Sequence, residues 1–381
     1  MPAALKKIDF VFFDAGGGHR SAANALQTVI EHQQRPWRVR LVNLQEVLDS
    51  LDIFRKLTGL RLQDVYNQVL KRGWTLGSPQ LLPLMHGVIR LYHRGQVRLL
   101  DRFWREDTPD LVVSLVPNFN RAMFEGLGRA APGTPFVTIL TDFADYPPHF
   151  WIERQPQYFI CGTSRAVEQA RSMGHPAERI FQTSGMILRP MFYDVPSIDR
   201  AEARRQLGLD PELPTGLVLF GGEGSAVMQH IARAVSRLDI SAQWIFLCGR
   251  NAALRRRIDS MRGALRLHTE GFTQEVPRFM ALSDFFVGKP GPGSISEALA
   301  MKLPVLIERN AWTLPQERYN AQWVEERQVG VVIRSFRHIS DGLHRLLEPA
   351  AFARFRANAA ATNNQAVFEI PDILARLLEA R

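Results

Sequence analysis

Apolar residues in this chain cluster into short runs of strand length: KIDFVFF (7–13), WRVRLVNL (37–44), DLVVSLV (110–116), PFVTILT (135–141) and QYFICGT (157–163). Between them lie segments of helical spacing, Arg20 to Gln33 and then SRAVEQARSMGHP, which has a serine at its N-cap and a glycine near its end. A stretch rich in polar residues and proline, roughly Met191 to Thr215, interrupts the pattern. It then restarts with GLVLF, QWIFLCG, DFFVG, LPVLIE and GVVI, again separated by helical segments. Strands that are apolar throughout have both faces covered, which is the condition of a parallel sheet flanked by helices. The expectation is an α/β chain of two Rossmann-like domains with parallel sheets, facing one another across a cleft. The domains are expected at 1–195 and 205–350, with residues 351–381 forming C-terminal helices that cross back to the first domain. DILARLLEAR, at the end, reads as a short amphipathic helix.

Composition narrows the class. A length of 381 residues suits two ordinary cores, and 46% hydrophobic with 22% charged residues excludes a disordered chain. Cys161 and Cys248 stand alone, outside any CxxC spacing, which argues against a disulfide framework or a thiolate zinc site and fits a reducing compartment. No apolar run approaches the roughly 18–20 residues needed to span a bilayer, and no secretory leader is legible. The net charge of +9 is concentrated: residues 53–105 hold ten Lys and Arg against two Asp. A polyanionic partner is therefore expected at this segment. Within it Arg90, Arg94, Arg98 and Arg102 recur every fourth residue beside an apolar face running from Met85 to Phe103. Two readings stay open for that segment: an element lying on an anionic membrane, or an amphipathic helix packed on its domain with the arginines in water.

Three glycine-rich loops each follow a strand and open a helix: DAGGGHRSA (14–22), FGGEGSAVM (220–228) and GKPGPGSISEA (288–298). Unpaired N–H groups at a helix start attract anions, and glycine lets a phosphate approach the backbone. One such loop is an ordinary turn; three at the same place are a pattern. A dinucleotide site is disfavoured, because Ser21 stands at the third glycine position of GxGxxG and Asn43 where a ribose-binding acid belongs. The Walker lysine spacing is absent as well.

GGGHRSAANAL, followed by GKPGPGSISEALAMKLPVLIE and PQERYNAQWV, resembles the monogalactosyldiacylglycerol synthase family of inverting GT-B glycosyltransferases. Processive diacylglycerol glucosyltransferases and the peptidoglycan GlcNAc-transferase are relatives of that family. The resemblance runs from Asp9 to about Gly330 and is loosest between Asp49 and Arg105. It implies a UDP-sugar in the second domain, with Glu297 accepting both ribose hydroxyls through one charged carboxylate. It also implies a diphosphate cradle from Gly291, Gly293, Ser294 and Ile295 together with Gly222, Gly224 and Ser225. Phe272 and Thr273 would line the uracil, Gln316 and Glu317 would read the sugar hydroxyls, and Arg189 would add a cation to the diphosphate. Gly17 and Gly18 would bring the first loop close to donor or acceptor.

His19 would be the general base that takes the acceptor hydroxyl proton, since a neutral imidazole can do so near neutral pH. Asp142 is the second candidate, as the base itself or as an orienting partner. The sequence has no DxD, and its nearest approach is Asp142 and Asp145, so no metal and no cofactor beyond the donor is expected. The implied activity is transfer of galactose or glucose from UDP to a lipid such as diacylglycerol. The enzyme is expected in the cytoplasm at the inner face of the membrane, with no nucleic-acid partner. The alternatives are a transferase with a soluble or peptidoglycan-type acceptor, and a non-catalytic protein that binds UDP-sugar or phospholipid.

Overall fold

The computed structural model describes residues 5–14, 18–48, 91–146, 149–311 and 313–379. Gly17, Arg90 and the segment from 49 to 90 lie outside the described residues. The chain divides into two units, one holding the described residues up to Pro190 and those from Asn364 onward, the other Met191–Asn363.

The first unit contains β1 (Lys6–Phe12), α1 (Gly18–His32), β2 (Trp37–Asn43), α2 (Leu44–Leu48), α3 (His93–Glu106), β3 (Leu111–Ser114), α4 (Asn120–Ala130), β4 (Phe136–Ile139), β5 (Tyr158–Cys161), α5 (Ser164–Ser172) and β6 (Ile180–Gln182). Its six strands are all parallel, in the order β2-β1-β3-β4-β5-β6. β3 and β4 are buried at every position, Ser114 and Thr138 included, as their mostly apolar sequences suggest. Asp9 breaks the apolar run of β1 and is nevertheless fully buried. Its carboxylate takes Arg40 Nε at 2.8 Å, Arg40 Nη2 at 2.5 Å and the indole N–H of Trp104 at 3.0 Å, which fastens α3 to the sheet. The cap of α5 is Thr163 rather than Ser164: its hydroxyl accepts from the amide of Ala166.

The second unit contains α6 (Arg200–Gln206), β7 (Thr215–Leu219), α7 (Val227–Val235), β8 (Gln243–Leu247), α8 (Ala252–Asp259), β9 (Leu267–Glu270), α9 (Val276–Ala281), β10 (Phe285–Gly288), α10 (Pro292–Ala300), β11 (Val305–Glu308), α11 (Arg318–Glu326), β12 (Gly330–Ile333), α12 (Ile339–Leu347) and α13 (Pro349–Ala361). Its parallel strands run β12-β11-β10-β7-β8-β9, which is the doubly wound Rossmann order. The polar interruption hides α6, capped by the Asp199 side chain. Arg200 and Arg204 reach from that helix to Asp284, both at 2.6 Å, and hold this carboxylate below the ordinary range although its burial acts the other way.

The last helix, α14 (Ala366–Glu379), packs on α1 in the first unit. Asn364 Nδ2 donates to the Met186 carbonyl at 2.9 Å, and Glu369 accepts from the amide of Ser184 at 2.8 Å. Among the described residues no helix is long and apolar enough to cross a membrane.

Candidate active site

In each sheet the chain turns from one side of the first strand to the other, and at that point the loops after two neighbouring strands part. Open α/β sheets bind ligands there. In the first unit the point lies between β1 and β3, and the loop after β1 carries Gly18 and His19 into α1. The Cβ position of Gly18 meets nothing within 4 Å, so packing does not demand a glycine there. His19 Nδ1 lies 3.1 Å from Thr141 Oγ1, beyond the end of β4, and the main chain of Leu115, beyond β3, hydrogen-bonds the same ring. Loss of water around the imidazole pulls its pKa down to about 4, and the Leu115 bond only partly opposes this. His19 is therefore a neutral imidazole near pH 7.

The Trp151 ring stands beside it, with ring centroids 5.9 Å apart and planes inclined by 55°. Asp142, buried, accepts the Trp151 indole N–H at 2.9 Å. Asp145 is committed to the loop itself. Its oxygens accept the amides of His149 (3.0 Å) and Trp151 (2.6 Å), and Gln169 holds its main chain. Burial raises its pKa, and the main-chain donors pull it back.

In the second unit the switch point lies between β7 and β10, where the other two glycine loops emerge. Two glycines there are required by backbone packing. Gly224 has φ +67°, and a Cβ on it would sit 2.4 Å from the Cys248 carbonyl; Gly249 has φ +61°, and its Cβ would sit 2.2 Å from the Gly222 carbonyl. The loops after β7 and β8 thus lock main chain to main chain, with the Arg250 amide donating to Gly222 at 2.9 Å. Gly222 itself is not crowded, its first neighbour being Phe272 at 3.6 Å. Phe272 is half exposed, with the Arg250 guanidinium 4.0 Å above its ring and Glu223 3.2 Å from that guanidinium. Ser225 Oγ accepts from the amide of Val227 and Thr273 Oγ1 from that of Glu275, so both hydroxyls also shape their own turns.

α10 opens with Gly291 as its N-cap and Pro292 in its first turn. Of the proposed cradle, the Ile295 amide already donates to the Gly291 carbonyl at 3.1 Å, and its side chain is fully buried. Pro292 has no N–H, which leaves Gly293 and Ser294 as the donors of the first turn. Glu297 is half-buried one turn beyond Gly293, on the same side of the helix. The Pro290 carbonyl is held by buried Asn320 at 2.8 Å, which fixes the backbone of this loop. Glu317 is buried, with Oε1 3.1 Å from Lys289 Nζ, and both stand beside Gly291; Gln316 is half-buried on the same short turn. Arg189 belongs to the first unit, apart from these groups in the chain's division.

Sequence reasoning passed over Lys289, Arg250, Thr141 and Trp151. Lys289 sits inside the GKPGPG motif, where a cation before a phosphate-type loop is a usable signal. Trp151 and Thr141 carry none, because only the fold brings them to His19.

Over α3 the apolar face is taken: Val97, Leu100 and Trp104 are buried in a cluster with Val11, Val112 and Met123. Arg94, Arg98 and Arg102 remain exposed. For this described part of the basic segment, the packed amphipathic helix is the observed state.

No family model matches the chain. It is 27% identical over 351 residues to a probable chloroplastic monogalactosyldiacylglycerol synthase 2 of Oryza sativa subsp. japonica, covering 86% of this chain and 71% of that one. It is 25% identical over 364 residues to monogalactosyldiacylglycerol synthase 1 of Arabidopsis thaliana, covering 88% and 63%. Among solved structures, Acinetobacter baumannii MurG superposes with a TM-score of 0.62 at 12% identity, covering 97% of this chain and 99% of that one. A UDP-N-acetylglucosamine 2-epimerase gives 0.56 at 16% identity, covering 99% and 98%. Anabaena HepE in complex with UDP and glucose gives 0.53 at 17% identity, covering 99% and 100%. The fold is that of the GT-B glycosyltransferases, and relatives named as synthases of one galactolipid extend over most of the chain. The resemblance read from the motifs therefore holds.

Proposed function

We propose that this glycosyltransferase moves a hexose, galactose or glucose, from a UDP-sugar to a lipid acceptor such as diacylglycerol, with inversion and without a metal. The observation that carries the reading is the second switch point. Two glycine loops emerge there from neighbouring strands, and one of them opens a helix bearing Glu297 one turn from the Gly293 and Ser294 donors. That arrangement suits a diphosphate at the helix start and a ribose at the carboxylate. Lys289 adds a cation, and Glu317 and Gln316 supply the acceptors for sugar hydroxyls. The structures of related fold also include an epimerase, so the fold alone does not choose between the two reactions; the sequence relatives favour transfer.

The first unit supplies the proton chemistry. The acceptor oxygen attacks the anomeric carbon while His19 takes its proton. The carbon–oxygen bond to the diphosphate breaks on the opposite face, and UDP leaves with its charge met by helix-start N–H groups and the Lys289 cation. Exposed Arg94, Arg98 and Arg102 suit contact with anionic lipid headgroups at the inner face of a membrane, by charge alone, since the apolar side of α3 is packed.

The test is calorimetric titration with UDP, UDP-galactose and UDP-glucose, with and without EDTA, followed by transfer assays on diacylglycerol vesicles. Metal-independent UDP binding and glycolipid formation support the proposal. UDP binding with transfer only to a soluble or peptidoglycan-type acceptor selects the first alternative, and binding without turnover the second.

A further inference from the structure

We infer that Trp151 is a positioning residue for His19, and that Asp142 acts on the histidine through the Trp151 indole rather than by taking a proton itself. The inference rests on the reading of His19 as the base. Trp151 is fully buried and fixed from three directions. Its amide donates to Asp145 Oδ1 at 2.6 Å, its carbonyl accepts from Asn120 Nδ2 at 3.1 Å, and its indole N–H donates to Asp142 Oδ2 at 2.9 Å. Asn120 is itself braced by Thr138, whose hydroxyl takes Gln157 Nε2 at 2.6 Å. The indole is thus a rigid wall, and the imidazole rests against it at 5.9 Å between centroids.

Two adjacent residues serve the ring in different ways. Thr141 meets Nδ1 directly at 3.1 Å, while Asp142 holds the wall. A rotatable ring with one side on Thr141 and another on Trp151 keeps one orientation, which proton transfer requires. Among the described residues, the charged and titratable groups on the packed segments are few. Asp14 and Arg20, on the histidine's own loop and helix, pair with each other at 3.0 Å. The segment after β4 adds Asp142, Asp145, Tyr146 and His149, of which Asp145 is turned to main-chain amides. The low pKa of His19 has desolvation as its first cause, and the indole is one of the groups packed beside the ring.

The test uses W151F, D142A and D142N, with H19Q to assign the histidine signal. Ring carbon resonances of labelled histidine are followed against pH in the substrate-free protein, and the pH dependence of transfer is measured in parallel. In W151F and D142A the His19 midpoint should rise by about one unit or more toward the reference of roughly 6.5, and the acid limb of kcat should move with it. Turnover should fall about 10-fold in each, with KM for the UDP-sugar little changed. Asn can accept the same indole N–H, so D142N should recover most of what D142A loses. An unmoved His19 midpoint in folded W151F would overturn the wall. D142N as damaged as D142A would show that the Asp142 charge acts directly. If H19Q itself transfers normally, the base reading fails, while the substrate-free titration still decides whether Trp151 governs the ring. A W151F chain that does not fold leaves the D142A and D142N pair to decide, since their midpoints must differ if the indole bond matters.

Discussion

The two switch points have the same architecture and opposite interiors. At the first, a glycine loop ends on a desolvated imidazole walled by a buried indole. At the second, two glycine loops end on helix-start amides, an exposed phenyl ring under a guanidinium, and a lysine–glutamate pair. Topology therefore supplies only the place. Desolvation keeps the imidazole of the first neutral, whereas the second presents a helix start beside a lysine–glutamate pair. The general lesson is that loops of similar composition at equivalent positions differ in chemistry through what the neighbouring strands carry.

That contrast can be broken experimentally. The largest expected effect is His19→Ala, which should lower transfer by about 100-fold or more while leaving UDP affinity intact, measured by single-turnover transfer and calorimetry. Equal loss of UDP affinity would erase the division of labour between the units. Next, replacing Arg94, Arg98 and Arg102 together with glutamine should weaken binding to anionic vesicles roughly 100-fold, at about 1 kcal/mol per charge removed, with transfer to detergent-dispersed acceptor retained. Cosedimentation without salt dependence would refute it. Glu297→Ala should do the reverse of His19→Ala. UDP binding should weaken about 10- to 100-fold, the range of a charge-assisted hydrogen bond, and turnover at saturating donor should hold better than affinity.

Glycines sharpen the second site. Gly224→Ala places a side chain at φ +67° against the Cys248 carbonyl and should lower Tm by several degrees, since the left-handed conformation alone costs about 1–2 kcal/mol. Gly222→Ala has room and should leave Tm nearly unchanged, so any loss of UDP affinity there reports backbone approach to the ligand. The smallest effect is Lys289→Met, which removes the cation from buried Glu317. Affinity for UDP-hexose should fall several-fold, and more than affinity for UDP. Equal losses would place Lys289 on the diphosphate alone.

Much of the fold was legible because interior strands of parallel sheets are predominantly apolar along their length. DLVV, FVTI and QWIFL are found this way. The edge strands Ile180–Gln182 and Leu267–Glu270 were not, since one side of each is open and their apolar content is diluted. α6 escaped for a related reason: only Ala203 and Arg204 of its residues are buried, and its anchors are arginines on Asp284 rather than an apolar stripe. The basic helix was legible as amphipathic, yet sequence could not say what its apolar face met. The structure shows that face of α3 against β3 and α4 residues.

By itself, then, the sequence determined the α/β class, the strand-to-helix loops and the candidate residues they carry, because strand burial and helix-start chemistry are properties of neighbouring positions. Tertiary structure decided which loops share a switch point, that Ile295 has no amide to offer, and that Lys289 meets Glu317. It also brought Leu115, beyond β3, and Thr141 and Trp151, both on the stretch between β4 and β5, around His19. The physical reason is that strand order in a sheet is settled by long-range pairing. Desolvation and ring contacts follow from that pairing, and local spacing cannot encode either.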